Sequence, residues 1–550
     1  MQSRYKPGLF FLFLLMITGL LAGGCRKQLD KNPLSQYSNE AFWGSQNDAL
    51  LALAGVYRGG IQMADAPEYS ATDWWSYYGL LFLEFATDNA YDRRGDNSDL
   101  SRLTNGTLTA TNGYVGSQWT NSYSRIARCN YFIENVGRTP MDTAIISRMT
   151  AEARFIRACQ YFYLSQFWGS VPLVTHTLTL TQANTVTKAA KADVMRYAMS
   201  ELQACAQILP RAKNLLASEK GRATQQAALA FLGRLQLAAG AYGAAAATYS
   251  TIVLAGDNMI DPNFGSLFDG TNESSKEIIF ATQYLQNTGD NAMEQHMFPR
   301  ALGGYSIFCP LGSLSESYEF TDGTPFSFSD PRYNPADIGQ NRDPRLKFTI
   351  LYNNQAFGSI TYQSHPDSVN AWDRTTTSLQ ATRTGFCMKK FNSPLVSGDL
   401  QNTGIDLPLI RYSEVLLSYL EARLENGDAI SQSLLDSTIN QVRGRVSVNM
   451  AKVTETNPAN LRVILRRERR NELALEGIRM WDLLRWGIAG QVLNGAFYGA
   501  PFPGARNLRK NGSVVDPYGR WYVTSKAFRI GQDELWPVPQ NEVAINPNLK

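Results

Sequence analysis

The sequence of 550 residues is poor in histidine, and it lacks the short motifs that mark common active sites. Its three histidines, His176, His296 and His365, lie far apart along the chain. This spacing argues against zinc binding or histidine-based catalysis without excluding either. The chain contains no G-x-S-x-G, P-loop, H-E-x-x-H or C-x-x-C pattern, so we predict no enzyme, no metal site and no cofactor. Glycoside hydrolysis stays open, because it needs only two carboxylates.

Charge and cysteine content exclude two further classes. The 52 lysines and arginines nearly balance the 48 aspartates and glutamates, which gives a net charge of +4 and predicts no nucleic-acid partner. The six cysteines include no closely spaced pair, so a disulfide framework is not expected. Five of them are predicted to be small buried residues with free thiols: Cys129, Cys159, Cys205, Cys309 and Cys387.

The N-terminus has the pattern of a secretory signal peptide over residues 1–24. Arg4 and Lys6 precede an apolar run at 9–21, and small residues follow up to Cys25. The run is too short to span a bilayer. The sequence AGGC at 22–25 resembles a bacterial lipobox, so we expect fatty acyl chains such as palmitate on Cys25. The alternative is an ordinary cleaved signal that leaves a free cysteine.

Aromatic residues are abundant, with 26 Tyr, 26 Phe and 10 Trp, and several are concentrated in the segment DWWSYY at 73–78. Four aromatic rings within five residues cannot all face one core, so we expect some to contact a ligand. Aromatic faces stack on sugar rings, and nearby Asp and Asn bind hydroxyls; packing in a large core is the alternative. The predicted ligand-binding residues are Trp74, Trp75, Tyr77, Tyr78, Asp88, Asn89, Tyr305 and Trp372.

Residues 228–254 predict two short helices joined at Gly240, because glycine adopts the positive φ that often ends a helix. The spacing of Leu232, Gly233, Ala245 and Tyr249 matches the tetratricopeptide (TPR) pattern. Such a hairpin cannot bury its apolar face alone, so similar neighbours are expected. We predict a mainly α fold in which TPR-like helix pairs form an α-α superhelix, packed against a loop-rich C-terminal half with few short strands.

The chain divides by composition into an N-terminal half at 25–256 and a C-terminal half at 257–550. The second half begins with a loop-rich insert at 257–408, which is long enough to suggest a functional role, and helices return at 411–487. Predicted helices lie at 116–136, 142–167, 191–209, 412–426, 431–445, 461–475 and 477–486, and predicted strands at 277–283 and 346–352.

Three glutamates continue an apolar helix face in the C-terminal half: Glu468, Glu472 and Glu476. Buried carboxylates persist when they are paired with cations, so salt bridges are expected, and a catalytic carboxylate dyad is the alternative. The predicted partners are Arg443, Arg445, Arg469 and Arg479.

Several longer segments together resemble the SusD/RagB family of bacterial outer-membrane nutrient-binding lipoproteins. They occur in the family's order over nearly the whole chain: the lipobox with LDKNPLSQ at 29–36, FWGSQNDALLALAGVY at 42–57, AEARFIRACQYFYLSQFWGSVPLV at 151–174, RAT at 222–224 before the hairpin, DPRL at 343–346, DLPLIRYSEVLLSYLEARLENGD at 406–428, INQVRGR at 439–445, RRERRNELALEGIRMWDLLRWG at 466–487 and WPVPQNEVAINPNL at 536–549.

The resemblance implies a lipoprotein on the outer membrane that covers a SusC-like TonB-dependent transporter and binds oligosaccharides without cleaving them. It identifies Cys25 as the lipid attachment site, whereas no family signature assigns the ligand residues. Three alternatives remain: a peptide-binding RagB-like member, a TPR-type protein adaptor, and retention on the inner face of the membrane. The last follows from Arg26 and Lys27, which differ from the acidic export signal of surface members.

Overall fold

The computed structural model describes residues 42–58, 73–377, 379–393 and 398–550. The predicted signal peptide, Cys25 and the segment behind it lie outside the described residues. Within the described part of the chain, no helix has both the length and the apolar character needed to span a lipid bilayer.

Helices form most of the regular structure, which confirms the predicted mainly α fold. In the N-terminal half they are α1 (Gln46–Arg58), α2 (Asp99–Arg102), α3 (Gly113–Asn135), α4 (Thr143–Phe167), α5 (Leu180–Ala183), α6 (Lys191–Ile208), α7 (Gln225–Ala238) and α8 (Tyr242–Ala255). In the C-terminal half they are α9 (Met293–Met297), α10 (Gly312–Ser317), α11 (Arg345–Thr349), α12 (Tyr412–Glu425), α13 (Gln432–Ser437), α14 (Ile439–Arg443), α15 (Pro458–Glu472), α16 (Arg479–Arg485), α17 (Ala489–Val492) and α18 (Gln540–Ile545).

The long helices pack in series. Helix α3 lies on α4, α4 on α6, α6 on α7, and α7 on α8. The series then continues into the C-terminal half, because α8 packs on α12 and α12 on α15. Each helix thereby buries its apolar face against the next one, while the division of the chain at residue 256 stays a prediction.

The hairpin of α7 and α8 depends on a close approach at Gly233. A Cβ atom there would lie 2.4 Å from the ring of Tyr249, so only glycine lets the aromatic ring pack directly on the backbone of α7. Gly240 ends the first helix of the pair with φ of 69°. Both features agree with the predicted helix pair.

Strands are short and form antiparallel pairs. They are β1 (Ala90–Asp92), β2 (Ile278–Thr282), β3 (Phe308–Pro310), β4 (Ile350–Leu351), β5 (Ala356–Phe357), β6 (Ile360–Thr361), β7 (Cys387–Met388), β8 (Leu407–Arg411), β9 (Asn494–Pro501) and β10 (Arg520–Ala527). The pairs are β1 with β3, β2 with β8, β4 with β7, β5 with β6, and β9 with β10. Pairing of β1 with β3 brings the N-terminal half beside the loop-rich insert.

Two sequence predictions are wrong in detail. The strand predicted at 346–352 is mostly helix α11, because Pro344 already has helical φ and ψ and starts the turn. The single helix predicted at 431–445 is divided at Thr438, which takes φ of −129° and ψ of −100°. The Thr438 hydroxyl donates to the carbonyl oxygen of Leu434, a side-chain bond that competes with the helical backbone.

Glu468 and Glu472 of α15 are buried and Glu476 after it is partly exposed, and all three form ion pairs, as predicted. Glu472 lies within 3.0 Å of guanidinium nitrogens of Arg345, Arg411 and Arg445. Burial raises the pKa of Glu472, but these three cations outweigh it and hold the pKa well below its usual range. The carboxylate is therefore engaged in a structural network, which contradicts the dyad alternative.

The partners of the network differ in part from those predicted. Arg443 and Arg445 do contact the glutamates, whereas Arg469 pairs with Asp482 and Arg479 with Asp88. Two partners were not predicted: Arg345, which belongs to the DPRL segment, and Arg411 at the end of β8. These residues are distant from α15 in sequence, so periodicity within a helix carries no signal for them.

Candidate functional site

Trp74 is a core residue, which corrects its prediction as a ligand-binding residue. Its exposed fraction is 0%, and its ring is stacked with those of Tyr163, Phe167 and Trp536 at centroid distances of 4.6, 5.1 and 5.9 Å. The indole N–H donates to the hydroxyl of Ser122. Neighbouring aromatic rings cover the indole, so a sugar cannot stack on it.

Trp75 is also buried, and the guanidinium of Arg125 lies 4.6 Å from its ring centroid. It lines a cavity of about 480 Å³ whose walls include Leu53, Tyr57 and Phe280. The cavity is mainly apolar at these positions. Packing holds Trp75 in place on the wall of this cavity, and its role in ligand binding stays a prediction.

Asp88 and Asn89 join the two halves of the chain and do not face a ligand. Asp88 accepts a bidentate pair of bonds from Arg479 at 2.9 and 3.0 Å and also contacts Arg470. Burial raises the pKa of Asp88, but Arg470 and Arg479 outweigh it and hold the pKa well below its usual range. Asn89 donates to Glu84 and accepts from Arg470. Their prediction as ligand residues is corrected, because both side chains are buried and engaged.

Tyr77 and Tyr305 both contact His296. The hydroxyl of buried Tyr77 forms a hydrogen bond of 2.9 Å with Nδ1 of His296, and the ring of Tyr305 packs edge-on against the imidazole at 5.8 Å. Burial lowers the pKa of His296 to about 4, with Arg94 and Arg93 acting in the same direction. The imidazole is therefore neutral near pH 7, and Tyr305 is partly exposed above it.

Tyr78 is partly exposed and is held by Arg94. An N–H of Arg94 donates to the Tyr78 hydroxyl at 2.9 Å, and the guanidinium lies 5.6 Å from the centroids of the Tyr78 and Phe82 rings. Arg94 is oriented by Asp92, whose carboxylate accepts from its Nε at 2.9 and 3.1 Å. A phenol and a guanidinium are thus fixed side by side at the end of β1.

Trp372 is the most exposed of the predicted aromatic residues, with 57% of its surface open to solvent. The guanidinium of Arg300 lies 5.9 Å from its ring centroid. The carboxylate of Asp373 accepts the backbone N–H groups of Arg300 and Ala301 at 2.7 and 3.1 Å, which ties the tryptophan loop to the segment that carries His296.

The exposed and partly exposed residues of these contacts define the candidate site, which we call the Tyr78–Tyr305 surface. It consists of Tyr78, Arg94, His296, Arg300, Tyr305 and Trp372. Of the eight aromatic and polar residues predicted to bind ligand, it includes the three that keep exposed area, Tyr78, Tyr305 and Trp372, and Tyr77 contacts it through His296. Arg94, His296 and Arg300 were not predicted as site residues, and the only signal available for Arg94 was the run of polar residues that follows β1.

The surface offers groups of the kind that bind sugars. Partly exposed rings offer faces for C–H groups, and guanidinium N–H groups can donate to hydroxyl or acidic oxygens. Of the carboxylates that contact these residues, Asp92 is paired with Arg94, and Asp373 accepts backbone N–H groups. Among the described residues, no group of three histidines, cysteines, aspartates or glutamates is arranged to hold a metal ion.

Two family profiles match the chain. The profile described as the SusD family matches residues 276–550, and one described as "Starch-binding associating with outer membrane" matches residues 63–237. Together they include every residue of the Tyr78–Tyr305 surface.

Similar proteins extend the match over most of the chain. A SusD-like carbohydrate binding protein from Bacteroides fragilis has 46% sequence identity and a TM-score of 0.89, covering 92% of this chain and 100% of that one. A laminarin binding SusD-like protein has 21% identity and a TM-score of 0.67, with coverage of 92% and 98%, and this similarity shows the fold alone. SusD-like protein P38 from Formosa agariphila is 26% identical over 508 residues, covering 88% of this chain and 92% of that protein.

Proposed function

The chain belongs to the SusD family, and from this premise we propose that it binds oligosaccharides on the Tyr78–Tyr305 surface and delivers them to a SusC-like TonB-dependent transporter. The relative from B. fragilis is named as a carbohydrate binding protein, which supports a glycan ligand. The family description "associating with outer membrane" supports a position there. Acyl chains on Cys25 would anchor the protein, with the soluble part facing the cell surface.

The observation that carries this proposal is the exposure of aromatic rings beside fixed polar groups. Trp372 and Tyr305 lie on loops, and each contacts a residue of the segment at 296–300, Arg300 for Trp372 and His296 for Tyr305. Rings fixed before the ligand arrives lose little conformational freedom on binding. Each ring that stacks on a sugar is expected to contribute about 1 kcal/mol, or roughly a factor of five in affinity.

Binding without cleavage is the second part of the proposal. Hydrolysis of a glycosidic bond requires a carboxylic acid and a carboxylate facing each other across the bond. Asp92 is saturated by Arg94, and Asp373 is buried beneath backbone N–H groups. Neither carboxylate is arranged to act on a glycan that lies on the aromatic rings.

Calorimetry with purified protein and a panel of polysaccharide digests tests the proposal. We expect Trp372→Ala and Tyr305→Ala each to weaken glycan binding about fivefold or more, and no new reducing ends to appear in the bound glycan. Tyr131→Ala is the matched control, because Tyr131 is a 37% exposed tyrosine on α3. Unchanged affinity in both site variants would contradict the assignment of the surface. Binding of peptide digests instead of glycans would favour the peptide-binding alternative.

The transporter partner is tested separately. Mild-detergent purification of the tagged protein from its native membrane is expected to recover a TonB-dependent barrel, and a Cys25→Ser variant is expected to leave the membrane fraction. A protein that stays membrane-bound without Cys25, or that recovers no barrel, would count against the anchor or the partner respectively.

A further inference from the structure

A cluster of arginines with too few carboxylates borders the Tyr78–Tyr305 surface. Arg93 and Arg94 follow β1, and Arg383 lies on the neighbouring loop of the insert. Asp92 forms a bidentate pair with Arg94. Within the described ranges, neither Arg93 nor Arg383 has a carboxylate within salt-bridge distance, so two of the three positive charges lack an ionic partner.

Backbone N–H groups tie these two arginines to one short segment at 307–309. The N–H of Arg93 donates to the carbonyl oxygen of Ile307 at 3.0 Å. The N–H of Arg383 donates to Sγ of Cys309, two residues further along. Ile307 in turn donates its own N–H to the carbonyl oxygen of His296. The backbones of Arg93 and Arg383 are therefore tied to the segment at 307–309, which is itself bonded to the backbone of His296.

The electrostatic environment of the cluster is positive. Partial burial lowers the pKa of Arg93, and the neighbouring charges of Arg383 and Arg94 lower it further. Asp92 acts in the opposite direction, but its charge is already balanced by Arg94. Asp96, the next carboxylate along the loop, accepts hydrogen bonds from the hydroxyls of Tyr91 and Thr524.

Like charges at short range raise the free energy of the unoccupied protein, and a bound anion would relieve this repulsion. A guanidinium also matches the geometry of carboxylate and sulfate groups, because it can donate two parallel N–H bonds. A neutral sugar would leave Arg93 and Arg383 without a counter-charge. The arrangement thus favours a ligand that brings its own negative charge.

We propose that the ligand is an acidic oligosaccharide whose carboxylate or sulfate group binds between Arg93 and Arg383 while its sugar rings lie on Tyr305 and Trp372. This inference rests on the proposed function, since it names the class of glycan that the same surface binds. The proposed function alone requires only that the sugar rings fit the aromatic side chains. The inference adds that negative charge on the glycan increases its affinity.

An array of six-residue glycans tests the inference on the full protein. It contains uronic-acid oligomers, the same oligomers with their carboxyl groups reduced to alcohols, and sulfated neutral oligomers. We expect an acidic group to increase affinity about tenfold over the reduced counterpart, with the advantage shrinking as salt is raised. The uronate and sulfate members distinguish the two possible sources of charge.

Arg93→Gln and Arg383→Gln are expected to weaken binding of the acidic glycan about tenfold each and to leave a neutral glycan unaffected. Arg138→Gln removes the same charge from an exposed site where the side chain contacts Asn135, and it is expected to change nothing. Melting temperatures of all three variants identify any effect that comes from misfolding.

Each outcome of the array decides a separate claim. Equal affinity for the acidic and the reduced oligomers, or equal weakening by Arg138→Gln, would overturn the acidic ligand while leaving glycan binding intact. Failure to bind any glycan would overturn the proposed function as well. Equally tight binding of hexaglutamate would show that the charged group is recognised without the sugar, and it would also overturn the inference.

Discussion

Replacing Trp74 with alanine separates a core role from a ligand-binding role. The indole is fully buried, lies nearly parallel to the rings of Tyr163, Phe167 and Trp536, and donates to Ser122. Truncating a buried tryptophan costs about 3–5 kcal/mol, and three stacked partners put this site near the upper end of the range. For a chain of this length, about 4 kcal/mol lowers the melting temperature by roughly 3–4 °C.

Thermal unfolding and calorimetry on the same samples provide the assay. Trp74→Ala is expected to lower the melting temperature while the folded fraction still binds glycan, whereas Trp372→Ala is expected to weaken binding with a change in melting temperature of under about 1 °C. Trp74→Phe keeps an aromatic ring in the stack and serves if the alanine variant does not fold. A Trp74→Phe protein that melts like the wild type but has lost glycan binding would refute the placement of this ring in the core.

Two further predictions concern packing and pH. Gly233→Ala is expected to destabilise the protein by about 1–3 kcal/mol in chemical denaturation, because its Cβ would clash with Tyr249. Gly116→Ala is the control: its Cβ would meet no atom within 4 Å, and it is expected to stabilise α3 by about 0.5–1 kcal/mol. Equal effects of the two substitutions on the free energy of unfolding would contradict the close packing at Gly233. Burial raises the pKa of Glu294 from 4.5 to about 7, so its contribution to stability is present below pH 4.5 and is lost as pH rises through 7. Glu294→Gln is therefore expected to lose less stability than the wild type between pH 4.5 and 8, as measured by melting temperature, and parallel pH profiles would refute the shift.

Local sequence patterns predicted most of the helical scaffold. The helix pair at Gly240 was placed correctly because helical spacing and a glycine stop are properties of neighbouring residues. The strand prediction at 346–352 was wrong because local pattern is ambiguous there: a short apolar run is compatible with either helix or strand. In that segment Pro344 and the ion pairs of Arg345 determine the outcome.

The candidate site could be predicted only in part. Trp74 and Tyr78 belong to one aromatic segment and looked equivalent in sequence, yet one lies in the core and the other is partly exposed. The difference comes from residues far along the chain, because Trp536 covers Trp74, whereas the neighbour of Tyr78 is Arg94. The contact of Tyr77 with His296 spans 219 positions in sequence, and no local pattern indicates such a pairing.

The buried charges explain how loops with little regular structure can hold a binding surface in place. Arg345 and Arg411 belong to the loop-rich insert and to the strand that closes it, and both pair with Glu472 of α15. Removing one partner would leave a charge buried without compensation, which costs about 3–5 kcal/mol. This cost opposes any displacement of the insert from the helices. The buried ion pair of Asp88 with Arg479 likewise joins the N-terminal half to the C-terminal helices. The segments that carry Tyr78 and Tyr305 are therefore fixed against one helical frame, so the surface is formed before a ligand binds.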